Sequence, residues 1–95
     1  MARVNDIFQL GPDAVIEFFA GKISTRSDAL DIKELADICW TRASTLAKSQ
    51  ASDAAKWARA ALAGYELLST SDEPSLAESA SESAEALRSW KLLQN

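Results

Sequence analysis

The sequence predicts an all-α fold, a small four-helix antiparallel bundle or an array of helical hairpins. Every periodic segment repeats its apolar residues at steps of three and four, and none alternates strictly as a half-buried strand does. Of the 95 residues, 47% are hydrophobic, and many of these are alanine, the best intrinsic helix former. Three glycines and two prolines are too few for the turns an all-β chain of this length needs. A chain of this size makes a single domain, residues 1–95, with a limited core.

Residues 1–10 carry Val4, Ile7, Phe8 and Leu10, apolar enough to pack but too short a stretch to stand as a helix by itself. Asn5 is placed to cap one turn that Gly11 ends. At Gly11-Pro12 a boundary follows, because proline suits the first helical position and Asp13 puts negative charge where the helix dipole favours it. The first helix is expected over 12–23, with Val15, Ile16, Phe19 and Ile23 as its apolar stripe and Phe18 beside it. Gly21 weakens the last turn.

Ser24 to Leu30 reads as a polar connection. Asp31 with Glu34 three residues later has the spacing of a capping box, so the second helix is expected over 31–49. Its stripe is Ile32, Leu35, Ala36, Cys39, Ala43, Leu46 and Ala47, flanked by Trp40, with Ile38 off it. Gln50 and Ala51 leave only a tight link, which makes the next helix its antiparallel neighbour. Ser52 is the expected N-cap of that third helix, over 53–68.

This third helix is the expected centre of the domain. Ala54, Ala58, Ala61, Leu62, Tyr65 and Leu68 form one stripe, and Trp57, Ala61, Gly64 and Leu68 a second beside it. Two adjoining apolar stripes touch more than one neighbour, and the alanines with Gly64 let partner backbones come close. After the loop Ser69–Glu73, Pro74 suits the first turn of a fourth helix, expected over 74–93. Leu76, Ala80, Ala84, Leu87 and Trp90 are its stripe, with Leu93 near its end. Residues 61–68 and 86–93 also match at a shift of 25, keeping Ala-Leu, an aromatic and Leu-Leu.

The net charge of −4 and scattered Lys and Arg argue against nucleic-acid binding, which needs clustered cations. The charge is uneven. From Asp72 to Leu87 every charged residue is acidic, whereas Trp40 to Ala60 holds Arg42, Lys48, Lys56 and Arg59 against Asp53. The single cysteine, Cys39, cannot close an intramolecular disulfide, and its place on an apolar stripe makes it a small core residue. The opening MARVNDIFQLG is too short and too charged for a signal peptide, and no segment reaches the roughly 20 apolar residues of a membrane span. A cytoplasmic protein that meets neither membrane nor nucleic acid is expected.

With no histidine the chain has no Ser-His-Asp or Cys-His pair and no histidine-based metal site, and its glycines form no phosphate-cradling loop. Glu78, Glu82 and Glu85 share one face of the fourth helix but lack the Glu-x-x-His partners of di-iron bundles. No catalytic residue, metal or cofactor is expected. The candidate residues are those of a protein interface: Phe18, Trp57 and Trp90 as large apolar groups, and Glu78, Glu82 and Glu85 as an acidic face.

Trp40, Ala43, Ser44 and Ala47 have a spacing similar to the first helix of the tetratricopeptide class of helical repeats. Ala60 and Ala63 fall where its second helix has an aromatic and an alanine. The resemblance covers Trp40 to Leu68, with Lys56 at the usual alanine position, Leu68 at the usual proline position and an internal shift that differs from the family's repeat of 34. It implies a scaffold whose groove takes a peptide or helix and which has no chemistry of its own. The reading is therefore a non-enzymatic protein-protein interaction module, an adaptor or small subunit of a larger assembly. The alternative is an acidic inhibitor such as an antitoxin, an immunity protein or a phage-encoded blocker; an enzymatic or cofactor-binding bundle is remote. A homodimer or a protein partner is expected to cover the remaining apolar faces, with Phe18 and one of Trp57 or Trp90 at the contact.

Overall fold

The structure is a computed structural model that describes residues 4–21, 26–71 and 73–90. Among these the chain forms five helices and no strand: α1 (Val4–Gln9), α2 (Pro12–Ala20), α3 (Arg26–Leu46), α4 (Ala51–Leu68) and α5 (Pro74–Arg88). The fold is an all-α bundle. Helix α4 is its hub, with α3 packed along it most extensively, α5 and α2 on other sides, and α1 bridging α3 and α2. The shortest dimension, 17 Å, is about that of two helix layers at the usual interaxial spacing of roughly 8–10 Å.

The boundaries differ from expectation in five places. The N-terminal stretch is a helix of its own, so the described bundle has five helices, and Asn5 lies inside α1 rather than capping it. Helix α3 starts at Arg26, which places the Asp31-Glu34 pair one turn or more inside it. Ser24 to Leu30 is rich in polar residues able to cap, and the capping box is one of several competing start signals. At its other end α3 stops at Leu46, where the Gln50 N–H closes on the Leu46 carbonyl at 2.8 Å. Helix α4 then opens at Gln50, whose carbonyl accepts from the Ala54 N–H at 2.9 Å, so Ser52 sits in the first turn and is not the cap. Finally, α5 ends at Arg88, leaving Trp90 beyond it. Ile23 and Leu93, expected near helix ends, lie outside the described residues.

Gly11 enters α2 with φ of +109°, a conformation that side chains with a Cβ rarely adopt. Pro12 then opens the helix at its first position. Along α2, Val15 and Phe19 are buried, but Ile16, expected in the same stripe, is 38% exposed. Helix α2 packs mainly on α4, with lesser contacts to α1 and α3, and Ile16 lies off that face.

The core joins α3 to α4. Ile32, Leu35, Ala36, Cys39, Ala43 and Leu46 of α3 are buried, as are Ala54, Ala58, Ala61, Tyr65 and Leu68 of α4. Gly64 marks a close approach: a Cβ there would lie 2.9 Å from the Ala36 Cβ and 2.7 Å from Cζ of Phe19. One small residue thus lets α4 touch α3 and α2 together. On the α5 side the buried set is smaller, Ala80, Ala84 and Leu87. No helix of the described residues is long and apolar enough to cross a membrane.

Candidate interaction surfaces

The aromatic residues picked from the sequence are half-buried and packed against the core. Trp57 of α4 lies against Phe8 of α1, ring centroids 4.7 Å apart, and so fastens the N-terminal helix to the hub. Phe18 packs beside Phe19 at 5.8 Å. Trp90 sits past the end of α5, its N–H bonded to the Leu87 carbonyl at 3.0 Å. The three belong to separate elements. Glu78, Glu82 and Glu85 are all exposed, opposite the buried Ala80, Ala84 and Leu87 face of α5, at steps of four and three along it.

Asp37, which nothing in the sequence singles out, joins α3 to α4 through polar contacts. Its carboxylate accepts a hydrogen bond from the phenol of buried Tyr65 and a charge-assisted one from the Lys33 ammonium at 2.8 Å, one helical turn away. The bond crosses from α3 to α4, and the Trp40 ring meets Tyr65 edge-on at 5.7 Å. Burial, the hydrogen bond to Asp37 and the charge of that carboxylate push the Tyr65 phenol well above its ordinary value. Beside it, burial pushes the Cys39 thiol up to about 12, which makes it a poor nucleophile at neutral pH.

Three depressions meet at Asp37. A slot of about 50 Å³ runs between α3 and α5, with Lys33, Asp37, Tyr65, Ser79 and Ser83 in its lining. A shallow hollow of about 320 Å³ lies over Trp40, Thr41, Ser44 and Tyr65. On the other flank of α3 a groove of about 330 Å³ is walled by Phe8 and Ile38, with Asp37, Thr41, Arg42 and Thr45 around it. The Thr41 and Thr45 hydroxyls donate back to the carbonyls of Asp37 and Thr41, each at 3.0 Å. This leaves their methyl groups to line the surface. Arg42 is exposed and has no ion pair among the described residues.

Neither this groove nor the exposure of Leu10 and Leu30 is marked in the sequence. Leu10 is 76% exposed and Leu30 70%, although the segments holding them read as packing and connection. The one usable clue in the sequence was the Lys33-Asp37 spacing, which suits a helical ion pair. Among the described residues no three of His, Cys, Asp and Glu converge where a metal ion could be held. Comparison with models of known protein families, with curated proteins and with solved structures gives no match to this chain.

Proposed function

We propose that this protein is a non-enzymatic protein-protein interaction module, an adaptor or small subunit of a larger assembly, that seats a partner helix along the outer face of α3. The observation that carries this is the groove between Phe8 and Ile38. It is walled by apolar side chains, has a volume of about 330 Å³, and has at its edge Arg42, which makes no ion pair among the described residues. Such a groove suits an amphipathic helix that offers a large apolar anchor beside an acidic residue. The resemblance of Trp40 to Leu68 to tetratricopeptide hairpins supports the same reading, since that class holds peptides and helices in grooves.

The test is affinity capture from the native host with the wild-type chain, Thr41→Arg and Glu82→Gln in parallel. Thr41 is exposed, so an arginine there fills the groove without disturbing the core. A partner retained by wild type and Glu82→Gln but lost with Thr41→Arg supports the α3 site. Equal capture by all three removes it. A second reading, an acidic inhibitor that covers a basic surface, is favoured by the exposed Glu78, Glu82 and Glu85 of α5. It gains if capture depends on these glutamates and not on Thr41.

A further inference from the structure

The hollow of about 320 Å³ over Trp40, Thr41, Ser44 and Tyr65 has the Asp37 carboxylate in its lining and, among the described residues, no cation. Lys33, which donates to Oδ2 of Asp37 at 2.8 Å, lines the slot on the α5 side instead. Arg42 lines the groove on the other flank. The hollow itself therefore holds one negative charge and no positive one. Asp37 stays open to it: the side chain is 47% exposed, and of the roughly four acceptor positions of a carboxylate Tyr65 and Lys33 fill one each. Trp40 is half-buried and Tyr65 almost wholly buried, their ring planes 75° apart. The indole is thus the accessible aromatic wall, and the tyrosine backs it. Ser44 is exposed, and its hydroxyl makes no hydrogen bond among the described residues.

We propose that this hollow binds a primary alkylammonium, the head of a lysine side chain on a partner protein. An indole attracts a cation more strongly than the other aromatic rings do, and a carboxylate beside it adds a charge-assisted hydrogen bond to the same head group. The Ser44 oxygen supplies a further acceptor. Both Asp37 oxygens already accept one bond each, which suits a compact ammonium better than a guanidinium, whose rigid fork works best on two free oxygens. The apolar stem also has a place. Thr41 turns its hydroxyl back to the Asp37 carbonyl, so the methylenes of a lysine lie along the Trp40 ring and the Thr41 methyl. A free small molecule is held by enclosure, whereas this shallow hollow takes only a head and its stem and leaves the rest of the ligand outside. The site adjoins the α3 groove but does not depend on that groove's holding a helix.

The experiment titrates the full isotope-labelled chain with n-butylammonium, the lysine side chain alone, and follows the amide and indole resonances by NMR. Saturable shifts at Trp40 and Ser44 are expected, with a dissociation constant on the order of 10 mM. Neutral n-butanol and n-butylguanidinium should each bind at least about fivefold more weakly. Nα-acetyl-lysine N-methylamide, which carries the lysine main chain, should match n-butylammonium to within about threefold. Ser44→Leu fills the hollow from an exposed position that leaves the core untouched, and it should weaken binding about tenfold. Asp37→Asn, which keeps an oxygen for the Tyr65 phenol, should do the same. Lys33→Met should tighten binding several-fold, because the carboxylate is then no longer shared with a second ammonium. No saturable shift, shifts at Ser79 and Ser83 in place of Ser44, equal binding of n-butanol, or exclusion of the acetyl-lysine amide would each overturn the proposal. So would undiminished binding by Ser44→Leu, or weaker binding by Lys33→Met. No partner protein enters the titration, so its failure leaves the α3 groove standing, and failure of affinity capture leaves this site.

Discussion

Helix α4 is shared by two seams built on different terms. Against α3 it offers a wholly buried row of alanines, a glycine where a Cβ would clash with Ala36 and a tyrosine that hydrogen-bonds across to Asp37. Against α5 it meets two alanines and one leucine, with an exposed ion pair between Glu66 and Arg88 beside them. Apolar burial is worth about 25 cal/mol per Å², and α3 brings Ile32, Leu35 and Leu46 to the first seam where α5 brings one buried leucine and two alanines to the second. The first seam is therefore where the bundle holds together, and the second is where it opens first. Helical content alone conceals this, because both seams read as the same amphipathic pattern.

The largest effect that tests the contrast is Leu35→Ala in α3. Leu35 is wholly buried, and truncation should cost about 2–5 kcal/mol in chemical denaturation. Leu87→Ala is equally buried, but its cost is limited to what holds α5 on the hub. Native-state hydrogen exchange should show α5 amides opening at lower free energy than those around Cys39. Simultaneous opening of α3 and α5 would mean one cooperative unit and no contrast.

Next is Gly64→Ala. Alanine improves helix propensity by about 0.8–1 kcal/mol, yet its Cβ would meet Phe19 at 2.7 Å and the Ala36 Cβ at 2.9 Å. The Phe19 ring can turn aside, but the Ala36 Cβ moves only with its backbone, so a net loss of about 1–3 kcal/mol is expected. A stabilised variant would show that α3 and α4 part at no cost.

Tyr65→Phe removes the bond to Asp37 and should cost about 0.5–1.5 kcal/mol at neutral pH. The phenol and the Cys39 thiol also give this seam a pH signature. Below the ordinary values of 9.0 for the thiol and 10.0 for the phenol, both groups keep their protons in the native and unfolded chains, and the stability is complete. Above those values the unfolded chain ionises while the native one resists, so stability falls as pH rises. Denaturation midpoints across this alkaline range should decline less steeply for Tyr65→Phe and for Cys39→Ala than for wild type. An unchanged slope would show that neither group is held protonated by the fold.

The smallest effect belongs to the α4-α5 pair. Arg88→Ala should change stability by about 0–1 kcal/mol, as exposed ion pairs do. A loss of several kcal/mol would make this seam as strong as the other.

The sequence announced the stronger seam and little of the surface. The buried rows of α3 and α4 were legible because the period of an amphipathic helix depends only on spacing, and Gly64 among large neighbours pointed to close approach. The start of α3 was not. Ser24, Thr25, Ser27, Asp28 and Asp31 are all residues able to cap, and local chemistry does not choose among them. The Asp37-Tyr65 bond joins residues 28 apart and exists only after two helices have docked. The groove beside Ile38 depends on α1, six residues long, a length that cannot hold a helix by itself. What fixes it there is Phe8 against Trp57, a tertiary contact with no local trace. The exposed glutamates were readable as a face, but whether anything covers them is a matter of docking.

Cys39 is fully buried in the stronger seam, and it is the chain's single cysteine. A thiol reagent added to the native protein must wait for α3 and α4 to separate before it can react. The alkylation rate thus reports that separation at one defined position, Cys39. With reagent in the regime where reclosing outpaces reaction, the slowing relative to a free thiol gives the opening equilibrium directly. The buried sulfur makes the protein its own gauge of how often its strongest seam comes apart.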